Sequence, residues 1–152
     1  MTTSSRITEV TIAPFEPRDR PGLITLWQLV FPPRSPHHDP NLSLDLKLAQ
    51  RDNLLLVARL ADHIVGAVMA GYDGHRGWLY SVAVHPDHRR RSIGRLLIQH
   101  AESALAALNC PKINLQITAD NGPVTAFYEK LGYTVEPRIS MGKILDETRD
   151  RT

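Results

Sequence analysis

Two apolar runs, Leu54–Leu60 and Ile64–Gly71, are separated only by Ala61-Asp62-His63. Both are short and rich in Leu, Val and Ile, so together they predict a hairpin of buried strands. A second turn, Tyr72–Gly77, is rich in Gly and polar residues and leads into a third strand, Trp78–Val84, which Pro86 ends. From Ser92 the apolar period becomes helical: Ile93, Leu96, Leu97, Ala101, Ala104, Leu105 and Leu108 share one face.

The flanks add elements on either side. Ile7–Ile12 reads as a first strand, stopped by Pro14 and Pro17. Asp19 can cap a helix whose stripe is Leu23, Leu26, Trp27 and Val30. Phe31 to Pro40 holds four prolines and must be a loop. A short helix follows, with Asn41 or Ser43 as cap and Leu44 and Leu48 one turn apart. After the break at Asn109-Cys110-Pro111, Lys112–Thr118 alternates as a strand with one polar face. A helix from Pro123 to Leu131 carries Val124, Phe127, Tyr128 and Leu131; Asp120 or Asn121 caps it and Gly132 suits a left-handed end. Tyr133–Glu136 and Ile139–Leu145 are two further strand candidates. The order β-α-α-β-β-β-α-β-α-β-β predicts an α/β (α+β) fold with a mixed central sheet.

Composition narrows the class. With 152 residues, one domain over residues 7–145 is expected, with flexible ends at 1–6 and 146–152. The formal net charge of +2 is far from that of a dedicated nucleic-acid binder. The single cysteine, Cys110, excludes an internal disulfide and a thiolate zinc cluster. No apolar run approaches the roughly 18 residues of a membrane helix, and Met-Thr-Thr-Ser-Ser-Arg is no secretory signal. A cytoplasmic protein is expected.

The chemistry concentrates where the third strand meets the long helix. Arg89, Arg90 and Arg91 precede a helix opening on Ser92, Ile93, Gly94 and Arg95. A helix start leaves N–H groups unpaired and carries positive partial charge. Small residues there admit an anion, so the segment suits phosphate or pyrophosphate; the alternative is a solvated basic turn. Neither a P-loop nor the dinucleotide Gly-x-Gly-x-x-Gly pattern is present.

Two segments about 30 residues apart resemble the GNAT superfamily of acyl-CoA-dependent N-acetyltransferases. The family's Arg/Gln-x-x-Gly-x-Gly/Ala signature reads here as Arg89-x-x-Ser92-x-Gly94, with Ala83-Val84-His85-Pro86 upstream. Its Asn, Tyr and Gly-aromatic series reads as Asn121, Tyr128 and Gly132-Tyr133. The stretches Gly71–Gly77, Cys110–Ile113 and Ser140–Lys143 look closer still to the small bacterial YpeA-type acetyltransferases.

The resemblance implies a mostly antiparallel sheet flanked by helices, acetyl-CoA as co-substrate, an amine acceptor and no metal. It implies that Arg90 to Arg95 hold the CoA pyrophosphate, with Arg89 beside them. Val82, Ala83 and Val84 would pair with the pantetheine arm, one amide polarising the thioester carbonyl. Asn121 would touch the arm, and Tyr128 would lie near the sulfur as general acid. Ser92 departs from the usual glycine, and if the position needs φ > 0 a serine there is strained. Relatives often carry a basic Glu where this chain has Gln116; Asp73 and His75 are the candidate replacements, with Glu129 a poorer one. Gln116 also keeps open a second class of function, an acyl-CoA-binding sensor without turnover. His37-His38-Asp39 and His85-x-x-His88 lack a third ligand at a recognised spacing. Trp27, Phe31 and the proline-rich loop are candidates for the acceptor pocket. Neither nucleic acid nor membrane is an expected partner; a homodimer is open.

Overall fold

The computed structural model describes residues 9–32 and 39–145. Five strands form one sheet: β1 (Val10–Pro14), β2 (Leu55–Leu60), β3 (His63–Tyr72), β4 (Gly77–Val84) and β5 (Ile113–Leu115). They stand in sequence order, the first four antiparallel and β5 parallel to β4. The helices are α1 (Arg20–Val30), α2 (Pro40–Leu48), α3 (Ile93–Ala106) and α4 (Gly122–Lys130). The mixed α/β class and the buried hairpin agree with the sequence pattern.

The sheet separates two cores. Leu23, Leu26 and Trp27 of α1 and Leu44 of α2 pack on one face against Leu55, Val57 and Ala67. Ile93, Leu97 and Ile98 of α3 and Tyr128 of α4 pack on the other, against Leu56, Val65 and Val68. The start of α3 is pressed close: a side chain at Gly66 would meet Leu97 Cδ1 at 3.0 Å and Ile93 Cγ2 at 3.1 Å.

Several expectations need correction. Among the described residues the first strand is Val10–Pro14, and Pro14 is tolerated because β1 is an edge. The cap of α2 is Asp39, whose side chain accepts from Asn41 N, and not Asn41 or Ser43. The strand expected at Lys112–Thr118 is only three residues long. Tyr133–Glu136 and Ile139–Leu145 form no strand. Pro137 removes a ladder donor there, and Ile139, Met141 and Leu145 bury no face, being about nine-tenths exposed. The ends expected to be flexible, and His37 and His38, lie outside the described residues.

Asp19 also behaves differently from the expected cap. Its side chain caps no N–H of α1; instead it receives Arg59 of β2 in a two-pronged pair, Nε–Oδ1 at 2.9 Å and Nη2–Oδ2 at 2.6 Å. Asp19 is 5% and Arg59 8% exposed. The Arg59 hydrogen bond, aided by the Glu16 N–H, holds the Asp19 carboxyl below its ordinary range. Glu16 Oε2 also accepts from Arg59 Nη2 at 3.0 Å.

Breaking a buried pair strands the remaining charge at a cost of about 3–5 kcal/mol, and Glu16 stays to offset part of it. Asp19→Ala should therefore lose about 3 kcal/mol in denaturant unfolding. A depressed carboxyl stabilises the fold fully above its unfolded value, about 3.9, and ceases to do so as pH falls through the lower folded value. Acid titration of stability should show this loss below about pH 4 in the wild type and a shallower one in Asp19→Ala.

Candidate functional site

Strand β4 leaves its neighbour early. Pairing with β5 covers only Gly77–Ile113, Trp78–Asn114 and Leu79–Leu115, while β4 continues to Val84. The β5-facing edge of Tyr80–Val84 therefore has no strand partner among the described residues. On the other side, the β3 register slips between Ala67–Ala83 and Met69–Tyr80. Ser81 sits in this bulge at φ 50°. The extra residue reverses the alternation of the strand. Leu79, Val82 and Val84 pack against the α3 core, whereas Ala83 belongs to the α1 core.

The chain then passes through the turn Pro86–His88 into the arginine loop. Arg89, Arg90 and Arg91 are exposed. Arg90 and Ser92 are both left-handed, at φ 69° and 62°. Ser92 is the residue before the first turn of α3, and its carbonyl accepts from Leu96 N. The position does require φ > 0, so the serine is strained. Ile93 is buried and anchors the helix start. A side chain at Gly94 would come within 3.3 Å of Phe127, so Gly94 lets α4 lie against this turn. The N–H groups of Ser92 to Arg95, free of intrahelical partners, thus lie at the open end of β4, on a segment that also carries the exposed Arg89, Arg90, Arg91 and Arg95.

Tyr128, next to Phe127 on α4, packs into the α3 core. The two rings meet edge to face at 5.1 Å, and Tyr133 packs on Tyr128 at 5.7 Å. Burial raises the Tyr128 phenol to about 12, so it is protonated at neutral pH. Among the described residues nothing hydrogen-bonds its hydroxyl, and the residue lines a cleft of about 1260 Å³ beside β5. Tyr133 donates to Glu102 Oε2 at 2.7 Å, which together with burial raises its own phenol. Asn121 Oδ1 faces Val124 N at 3.4 Å and caps α4.

Asp73 and His75 lie apart from this group, in the exposed β3–β4 turn at the other end of β4. Eight strand residues span roughly 23 Å. Asp73 Oδ1 accepts from His75 N at 2.8 Å and Arg76 N at 2.7 Å, which holds its carboxyl below the usual range. Asp73 is thereby a turn former and a weak proton acceptor. Burial, and after it the Asp73 charge, raises the Tyr80 phenol. Gln116 donates to Ser140 Oγ at 2.6 Å.

The sequence pattern did not single out Glu136. It receives Asn114 Nδ2 at 2.7 Å and Lys112 Nζ, and these bonds lower its carboxyl. No spacing signals this contact, because an irregular segment carries Glu136 to β5. Cys110 packs beneath Gly77 and donates to Lys112 O, a structural position. His85 and His88 stack edge to face at 5.4 Å, and no group of three metal-capable side chains occurs among the described residues. Nor is any described helix long and apolar enough to cross a membrane.

Comparison with known proteins identifies the family and the fold. The acetyltransferase (GNAT) family model matches residues 21–133. An acetyltransferase of Pectobacterium atrosepticum is 44% identical over 90% of this chain and 96% of its own. One of Sodalis glossinidius is 42% identical over the same shares. In fold, the chain is similar to the PaiA N-acetyltransferase of Thermoplasma acidophilum, solved with coenzyme A (TM-score 0.76, 17% identity, 87% of this chain and 94% of that one). It is also similar to Ard1 of Thermoplasma volcanium (TM-score 0.74, 23% identity, 84% of each). The chain belongs to the acetyltransferase (GNAT) family.

Proposed function

We propose that residues 7–145 act as one cytoplasmic domain that moves an acetyl group from acetyl-CoA to a primary amine by direct attack within a ternary complex. The observation that carries this is the unpartnered edge of Tyr80–Val84 running straight into a left-handed, arginine-rich helix start. An extended amide-bearing arm ending in a pyrophosphate needs both features in that order. The strand edge supplies paired amides, and the helix start supplies N–H donors and charge.

In this mechanism Arg89, Arg90 and Arg91, with the amides of Ser92, Ile93, Gly94 and Arg95, hold the pyrophosphate. Val82, Ala83 and Val84 align the pantetheine, and one of their amides donates to the thioester oxygen as charge develops on it. Asn121 steadies the arm. Tyr128 keeps its proton and gives it to the departing thiolate. The attacking amine gives its proton to solvent water, because Asp73 and His75 sit in the turn at the far end of β4, which Asp73 holds in shape. No enzyme nucleophile is required, which leaves Cys110 its structural place.

Removing a general acid costs about 10²- to 10⁴-fold. Tyr128→Phe should lose that much in kcat for thiol release while the KM for acetyl-CoA stays within about threefold. If neither form releases thiol with any amine although both bind acetyl-CoA, the chain is a sensor and not an enzyme. Ser92→Gly relieves a left-handed serine worth about 1 kcal/mol. Its melting midpoint should rise by roughly 2–4 °C, with acetyl-CoA affinity little changed because the loop geometry is already in place.

A further inference from the structure

The indole nitrogen of Trp27 is the one buried side-chain polar atom without a hydrogen-bond partner among the described residues. Trp27 is 4% exposed, in a cluster of Leu23, Leu26, Leu44, Val57 and Ala83 that offers no side-chain acceptor. An orphaned buried donor destabilises the free protein. Phenylalanine would occupy the position without that cost, so the donor calls for an explanation.

Its location supplies one. Ala67 and Ala83, both in the Trp27 cluster, face each other across β3 and β4 at the edge of the bulge. Met69, opposite Tyr80, packs on the same cluster. Trp27 therefore packs on the sheet face opposite α3, in one cluster with residues that flank the bulge. Tyr80 lies on that face as well, 48% exposed and stacked on Trp78 at 6.3 Å.

We propose that the Trp27 N–H is kept for the acceptor, and that the acceptor is a primary amine bearing a carbonyl or hydroxyl oxygen close to its amino group. This rests on the acetyltransferase function proposed above. An indole N–H only donates, and so does an alkylammonium, so the two cannot pair. A plain alkylamine or polyamine leaves the donor orphaned, whereas an oxygen-bearing amine satisfies it. The half-buried Met69, unbranched and adaptable, is the side chain that yields to admit the oxygen, and the exposed face of Tyr80 walls the carbon skeleton.

The test compares kcat/KM for an amino acid amide with that for an alkylamine of equal length, in wild type and in Trp27→Phe. Taking the ratio in each protein cancels the different basicities of the two amines. The ratio should fall roughly 10- to 100-fold in Trp27→Phe while the KM for acetyl-CoA holds. A ratio unchanged by the substitution, with turnover retained, overturns this inference alone. Absence of acetyl-CoA binding in the wild type overturns the underlying function instead. Should Trp27→Phe not fold, the wild type still decides. The chain has two tryptophans, and the slowly exchanging indole N–H resonance should move downfield with the amide and stay with the alkylamine. No movement with either contradicts the proposal.

Discussion

Everything at the site depends on the parting of β4 from β5. Three residue pairs hold the two strands together, and after Leu79 and Leu115 they separate. Among the described residues, the backbone amides and carbonyls on that side of Tyr80–Val84 are then left without a ladder, open to water or to an extended ligand. The bulge at Ser81 works with the parting: it turns Ala83 toward α1 while Val82 and Val84 keep α3 anchored. One stretch of strand thus touches both cores and presents a free edge between them.

Two further contacts keep that edge in place. On one face, Gly66 lets Ile93 and Leu97 approach so closely that the first turn of α3 is fixed at the end of β4. On the other, the Arg59–Asp19 pair ties the entry of α1 to β2, and so sets where Trp27 meets the sheet. The arginine loop between these layers is strained at Arg90 and Ser92. Strain of this kind survives only where the surroundings over-determine it, and here a buried Ile93 and the packed Phe127 do so.

Much of this was legible in the sequence, because periodicity reports burial. The hairpin, the long helix and the Tyr128 stripe all bury apolar faces, and all appear close to where the pattern put them. The serine at the loop carried a conditional expectation of strain, and its φ of 62° meets the condition. What the pattern missed depends on contacts between residues far apart in the chain. Arg59 and Asp19 are 40 positions apart, and Glu136 reaches Asn114 across 22. The last two strands failed for a related reason: Val135, Ile139 and Met141 have strand-like composition but no surface to cover. Nor could a sequence show that Asp73 spends its acceptor capacity on its own turn.

The central claim is that the open edge of β4 and the helix start beyond it hold acetyl-CoA. Calorimetric titration of the purified protein with acetyl-CoA tests it directly. One-to-one binding is predicted, with about 2.7 kcal/mol of added stability at a hundredfold excess over Kd. No heat on titration and no thermal stabilisation at saturating acetyl-CoA would contradict it.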